Sequence, residues 1–234
     1  SIYFAEGDRH AYFTMGPVAA GGERWAATDS WPPKPAGYTQ LWLHGAGELR
    51  PLATAAGQTV AYTVDPQATS GIISRWNLVQ HLLMQPVLYA HRREQDMRCQ
   101  VFETPPLQAA LSVTGAVHVR LTVTLGCGSA ANCDAGIFVY LEDVYDPAPG
   151  AVSPFVSLVT EGQVRAGHQC APDSKAVSVS ECNGGVRKNG QCACHRTFAR
   201  RHFALLPGST PATIDLALEP VSYLFAPGHR LRIA

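Results

Sequence analysis

No run of about 18 apolar residues occurs in this 234-residue sequence, so none of it reads as a bilayer-spanning helix. Charge is scarce too: Lys and Arg number 18, Asp and Glu 18, and together they make up 15% of the chain. Such a neutral surface has no net field to gather a polyanion, which excludes nucleic acid and an anionic membrane as expected partners. The opening Ser1-Ile2-Tyr3-Phe4 lacks the basic start and apolar stretch of a secretory leader. No G-x-S-x-G is present, so the strained elbow that exposes a hydrolase serine is missing. The 9 histidines show no H-E-x-x-H or other ligand spacing. The expectation is a chain with no catalytic residue, no metal site and no cofactor.

What is there suits short strands joined by turns: 21 Gly, 17 Pro and a good share of Val, Thr and aromatics. Alternation is clearest over 117–125, where Val117, Val119, Leu121, Val123 and Leu125 share one side, as a half-buried strand requires. Residues 137–141 are apolar on both faces, which suits a central strand covered on both sides, and the two runs read as an antiparallel pair. Further strands are expected at 11–15, 40–44, 59–64, 99–104, 155–160, 163–166, 198–205, 212–218 and 229–233. Helical periodicity appears only over 76–84, predicting one short helix. The prolines of 31–37 cannot join a ladder and mark an ordered connection. The fold class is therefore all-β, a jelly-roll sandwich with long loops, as one domain over 1–234.

Seven cysteines fall at 99, 127, 133, 170, 182, 192 and 194, six of them in two loop-like windows. Crosslinked loops in a secreted or extracytosolic protein are the expected consequence. Gly126-Cys127-Gly128-Ser129-Ala130 has the wrong spacing for a nucleophile elbow and reads as a loop closed by Cys127 and Cys133. In the second window a single C-x-C does not make two zinc knuckles, so disulfides are favoured over metal. A bridge from Cys192 to Cys194 would close too tight a ring, leaving two pairings; Cys182–Cys192 with Cys170–Cys194 is preferred. Cys99 is expected as a packing thiol in an apolar strand. The basic cluster His195-Arg196 with Arg200-Arg201-His202 reads as a solvated loop face. Trp25 and Trp31 stand in a polar context, where an exposed indole suits a sugar ring, so a free-standing carbohydrate-binding module is a rival reading.

Several motifs in order resemble the C-terminal domain of the Xaa-Pro dipeptidyl-peptidase and cocaine-esterase family of α/β-hydrolases. They are Phe13-Thr14-Met15-Gly16 followed by Trp25 through Trp31-Pro32-Pro33, then Leu41-Trp42-Leu43-His44, then Val101-Phe102-Glu103-Thr104-Pro105-Pro106-Leu107, then Val113-Thr114-Gly115. Tyr140-Leu141-Glu142-Asp143-Val144, Thr160-Glu161-Gly162-Gln163-Val164-Arg165-Ala166 and Phe225-Ala226-Pro227-Gly228-His229-Arg230-Leu231-Arg232-Ile233 continue the series. The resemblance implies a galactose-binding-like jelly roll that packs on the α/β-hydrolase domain of the same parent and carries none of its Ser-Asp-His triad. The parent would take a peptide or ester substrate. It further implies that the segment after Asp65-Pro66 approaches the substrate cleft, with Ile72, Ile73 and Trp76 on the pocket rim. Residues 168–201 look like a cysteine-rich insertion beside the family pattern. The chain also stops at Ala234 inside a strand where the family usually continues, which suggests a truncated chain with an uncovered edge.

Overall fold

A computed structural model describes residues 3–6, 9–30, 33, 39–53, 58–69, 79, 82–83, 91–168 and 198–234. Fifteen strands dominate them. They are β1 (Tyr3–Glu6), β2 (Arg9–Thr14), β3 (Arg24–Thr28), β4 (Trp42–His44), β5 (Glu48–Arg50), β6 (Phe102–Glu103), β7 (Leu111–Gly115) and β8 (His118–Val123). There follow β9 (Asn132–Cys133), β10 (Gly136–Tyr145), β11 (Phe155–Arg165), β12 (Leu206–Pro207), β13 (Ala212–Ala217), β14 (Val221–Phe225) and β15 (Arg230–Ile233).

One layer is a six-stranded sheet in the order β11-β10-β15-β6-β5-β4. The other is assembled from the pairs β8-β13 and β7-β14 and the ribbon β1-β2-β3. Met15 attaches the ribbon by bonding across β14: its N–H donates to Ser222 O and its carbonyl accepts from Leu224 N, both at 2.9 Å. Between the layers Val139, Leu141, Val164 and Leu231 meet Ile214, Leu216, Leu218, Val221 and Phe225, all buried. This is an all-β sandwich, and its alternating strands bury one face each because a pleated ribbon points successive side chains to opposite sides.

The alternating run 117–125 forms β8 and 137–141 lies within β10, as expected. They are not partners: β8 pairs with β13 in one layer, and β10 pairs with β11 and β15 in the other. The connection between them changes layers, and the bridge Cys127–Cys133 closes its tip across a separation of 6 residues. The two runs expected at 155–160 and 163–166 are the single strand β11, which absorbs Val159 as a bulge because Leu141 stands opposite Thr160 while Glu142 stands opposite Leu158. Residues 59–64 are extended but belong to no strand, and 198–205 form a 3-10 turn at Arg200–His202 rather than a strand. Within 99–104 only Phe102–Glu103 pairs. Nor does β15 lie at an edge, since it runs between β10 and β6. Of the expected helix 76–84, the described part retains one helical bond, from Leu83 N to Val79 O at 3.0 Å. The cysteine-rich stretch leaves the sandwich at a pinned neck: His168 bridges Phe203, and Ala204 N donates to Gly167 O at 2.9 Å.

At Gly16 the backbone has φ +126°, and a Cβ there would lie 2.4 Å from the carbonyl oxygen of Leu224. Gly128 also has positive φ, at +59°, but nothing stands within 4 Å of its Cβ position. Gly16→Ala is therefore expected to cost about 3 kcal/mol, combining backbone strain with a clash that β14 cannot yield to, against about 1 kcal/mol for Gly128→Ala. Denaturant midpoints of the two variants check the order. Replacing both Cys127 and Cys133 by Ser is expected to remove about 2 kcal/mol, the loop-closure entropy of so short a ring, measured by the same titration.

Candidate docking face

Residues 139–144 of β10 are buried on both faces, and the two consecutive acids among them, Glu142 and Asp143, are both 0% exposed. They point in opposite directions because the strand alternates. Asp143 faces the sandwich interior, where Tyr223 Oη donates to it at 2.8 Å and His229 Nδ1 lies 2.9 Å from it. Tyr145 stacks on the His229 ring with centroids 4.7 Å apart. Burial pushes the Asp143 carboxyl up, and the bonds from His229 and Tyr223 only partly offset this. The Tyr223 phenol is pushed up as well, first by burial and then by the charge of Asp143. A buried carboxylate orienting an imidazole is two-thirds of a hydrolytic triad. The cleft of about 390 Å³ beside it, however, is lined by Gly16, Pro17, Glu23, Tyr145, Tyr223 and His229, with no serine or cysteine among them. The pair therefore works as a staple, tying the Pro227-Gly228 turn and β14 to β10.

Glu142 points outward and begins a row of charge across the sheet: Arg232 of β15 stands opposite it, Glu103 of β6 opposite Arg232, and Glu48 of β5 opposite Glu103. A strap, residues 91–99 with a short helix at Arg93–Asp96, lies over this row. The strap starts on β11, where Arg92 N donates to Val156 O at 3.1 Å and His91 Nδ1 accepts from Val156 N at 3.1 Å. The Arg92 guanidinium lies over the Tyr140 ring at 3.8 Å, and its Nε donates to Glu142 Oε1 at 2.5 Å. Asp96 accepts from Arg232 Nη1 at 2.9 Å, and Glu103 receives both Arg232 and Arg230, at 2.7 and 3.0 Å. Burial first, and then the neighbouring charge of Asp96, push Glu142 up to about 8 despite Arg92.

The strap in turn holds a further segment outside it. Arg98 Nη1 donates to Asp65 Oδ2 at 2.8 Å and Gln67 Oε1 at 3.1 Å, and Tyr62 Oη donates to the Arg98 carbonyl at 2.7 Å. Asp65 Oδ1 also accepts from Gln67 N at 2.8 Å, an Asx turn that sets the bend at Asp65-Pro66. A cleft of about 640 Å³ opens between the two segments, lined by Asp65, Gln67, Thr69, Glu94, Gln95, Met97 and Arg98. Several apolar side chains of this stretch are exposed: Val64 and Met97 each 75%, with Leu52, Val60, Tyr62, Val79, Leu82 and Leu83 exposed too.

Ile72, Ile73 and Trp76, expected on a pocket rim, lie outside the described residues, as do Trp31, Cys170, Cys182, Cys192, Cys194, His195 and Arg196. Cys127 and Cys133 form the expected bridge. Cys99 is a free thiol, but it sits half-buried in the strap rather than in an apolar strand, and its Sγ donates to Gln95 O at 3.5 Å. Burial, with Asp96 second, raises its pKa and keeps it a thiol. Trp25 is exposed on β3 and meets the Phe13 ring edge-on at 5.5 Å, and neither cleft is lined by it. Among the described residues no group of three or more His, Cys, Asp or Glu side chains is placed to hold a metal ion. The sequence reading missed the Glu142–Arg92–Asp96 cluster. The one available signal was the pair of acids directly continuing a run apolar on both faces.

Comparison with known proteins agrees with this geometry. A sequence profile described as "X-Pro dipeptidyl-peptidase C-terminal non-catalytic domain" matches residues 11–234. Proteins of Mycobacterium bovis and Mycobacterium tuberculosis, both named as serine esterases, are 37% identical over 225 residues, which is 95% of this chain and 31% of theirs. The chain thus spans about a third of the length of these relatives. Among solved structures, an α-amino acid ester hydrolase superimposes with a TM-score of 0.60 at 20% identity, over 90% of this chain and 31% of that one. An aminopeptidase from a marine sediment thaumarchaeote gives 0.59 at 19%, with the same coverage. In each case the matching fold is one part of a longer hydrolase. With residues 11–234 matched by that profile, the chain belongs to the family of X-Pro dipeptidyl-peptidase C-terminal non-catalytic domains.

Proposed function

We propose that this domain packs on the catalytic domain of the same protein through its outer layer, formed by 58–69 and 91–99. The single observation that carries this reading is the collection of exposed apolar side chains on 52–97, from Leu52 through Val64 and Leu82 to Met97. Left in water, a patch of that kind invites aggregation; against a second domain it is buried. Ile72, Ile73 and Trp76 fall within the same stretch of chain, and we assign them to the wall of the substrate cleft. The parent's reaction would be acyl transfer through a seryl intermediate, with every catalytic group on the other domain. The names of the mycobacterial relatives favour an ester over a peptide as its substrate. The bridge Cys127–Cys133 supports an extracytosolic protein, since such bonds persist in oxidising compartments.

Two measurements test the reading. A fluorophosphonate probe is expected to leave the folded 234-residue chain unmodified by intact mass, and a stoichiometric adduct lost on denaturation would reveal an activated serine in this domain. In the full-length enzyme, Val64→Glu with Met97→Glu is expected to weaken the interdomain contact by about 3–5 kcal/mol, from lost apolar burial and two desolvated charges. Scanning calorimetry would then separate the two domains into distinct transitions, while Val152→Glu, on an exposed turn elsewhere, keeps one. An unchanged transition in the double variant would place the contact on another face.

A further inference from the structure

At the strap four polar atoms are enclosed without a hydrogen bond, Arg92 Nη2, Gln95 Oε1, Asp96 Oδ1 and Glu142 Oε2, with Arg92 Nη2 and Asp96 Oδ1 facing each other at 3.6 Å, too far for one. Arg92 and Asp96 are buried, and Glu142 is fully buried. Glu142 spends its other oxygen on Arg92 Nε at 2.5 Å, and Asp96 its other oxygen on Arg232 Nη1 at 2.9 Å. Each acid is thus half satisfied, and the remaining oxygens are both acceptors. The two carboxyls meet on one guanidinium: Arg92 Nε bonds Glu142 Oε1 at 2.5 Å, and Arg92 Nη2 stands 3.6 Å from Asp96 Oδ1. Both ionised, they repel in a site closed to bulk solvent; with one proton between them, both oxygens find a partner at once.

We infer that Glu142 and Asp96 share one proton, Glu142 standing as the neutral acid that donates to Asp96, and that this proton latches the strap, and with it the outer layer, onto the sheet. The groups facing Glu142 support this assignment. From the strap come Arg92, Asp96 and the Cys99 thiol. Arg232 stands opposite on β15, and its charge is already divided between Asp96 and Glu103. On β11 the residue opposite is Leu158, and within β10 the flanking outward residues are Tyr140 and Val144, none of which brings a positive charge. Glu161, opposite Tyr140, adds another acid further along the same face. One guanidinium bond to Glu142 is set against burial and the charge of Asp96, and the acid is held protonated up to about 8.

A carboxyl whose pKa is raised by folding binds a proton in the folded chain that the unfolded chain has released. Its stabilisation is complete below the ordinary carboxylate range and is lost as pH rises toward and through about 8. The latch is therefore closed at neutral pH and opens in alkali, where Glu142 and Asp96 face each other as anions. The role of the strap in docking rests on the reading above. The shared proton does not, and it is measurable on this chain alone.

The experiment is a pH titration of the chain labelled with ¹³C at the glutamate δ-carbon, followed by NMR from pH 5 to 10. The Glu142 signal is assigned by its absence in Glu142→Gln. One glutamate carboxyl is expected to keep the shift of a neutral acid at pH 7 and to titrate near 8. Amide exchange over 92–99, corrected for intrinsic rates, is expected to lose at least tenfold of its protection across the same transition. Glu142→Gln supplies an N–H donor to Asp96 without a titrating proton, and it is expected to keep the protection at pH 9. A Glu142 carboxyl at the ionised shift throughout pH 6–8 overturns the shared proton, whatever the variant does. A carboxyl that titrates while strap protection stays level overturns the latch. Loss of docking in the full-length enzyme with both results as expected would count against the docking face and not against the proton.

Discussion

Two adjacent acids on one strand, both denied water, set the conditions that the rest of this domain meets. Because β10 is covered on both faces, Asp143 and Glu142 each need partners delivered from outside the strand, in opposite directions. Inward, Tyr223 and His229 come from β14 and from the turn before β15, so satisfying Asp143 ties the second layer and the Pro227-Gly228 turn to the first. Outward, Arg92 comes from a segment that has no strand pairing of its own, so satisfying Glu142 fixes the strap. Removing either acid would leave a buried guanidinium, imidazole or phenol without its partner, a larger loss than the pair contributes.

Much of the sandwich was legible because it obeys simple periodicities. The alternating 117–125 and 229–233 runs, the doubly apolar 137–141 and the disulfide-closed 127–133 loop all appear where sequence places them. Pairing was less legible, since adjacent runs such as β8 and β10 look alike whether they share a sheet or face each other across the core. Residues 59–64 alternate like a strand, yet Tyr62 is held by the Arg98 carbonyl and the neighbouring Asp65 by the Arg98 side chain rather than by a ladder, and side-chain anchoring leaves no period in sequence. The Arg93–Asp96 turn is too short for a helical period to show. The candidate site was hidden for a related reason. Glu142, Arg92 and Asp96 are charged residues that composition alone would put in water, and only the covering of both faces of β10 turns them into a buried cluster.

The staple and the latch also explain how a hydrolase-like pair can exist here without catalysis. Asp143 orients His229 as a triad acid orients its base, but the imidazole stacks on Tyr145 and borders a cleft with no serine or cysteine in its lining. The same two side chains, a carboxylate and an imidazole at 2.9 Å, serve reaction in one setting and cohesion in another. What decides between them is the third group.

Holding the outer layer by ions rather than by apolar packing has a consequence for the interface. A strap fastened through Met97, Val64 and their neighbours would consume the apolar side chains that a partner domain can cover, and its outward face would be polar. Fastened through Arg92 and Asp96, it spends charge inward and leaves the apolar surface free. Ion pairs out of water contribute little net stability, since desolvation offsets most of the attraction. Their geometry is exacting, however, and a strap set by Arg92 and Arg232 against Glu142 and Asp96 has one register on the sheet. A marginally bound layer in a single register is suited to complete its folding against a second domain, which supplies by burial the stability that the ionic attachment lacks.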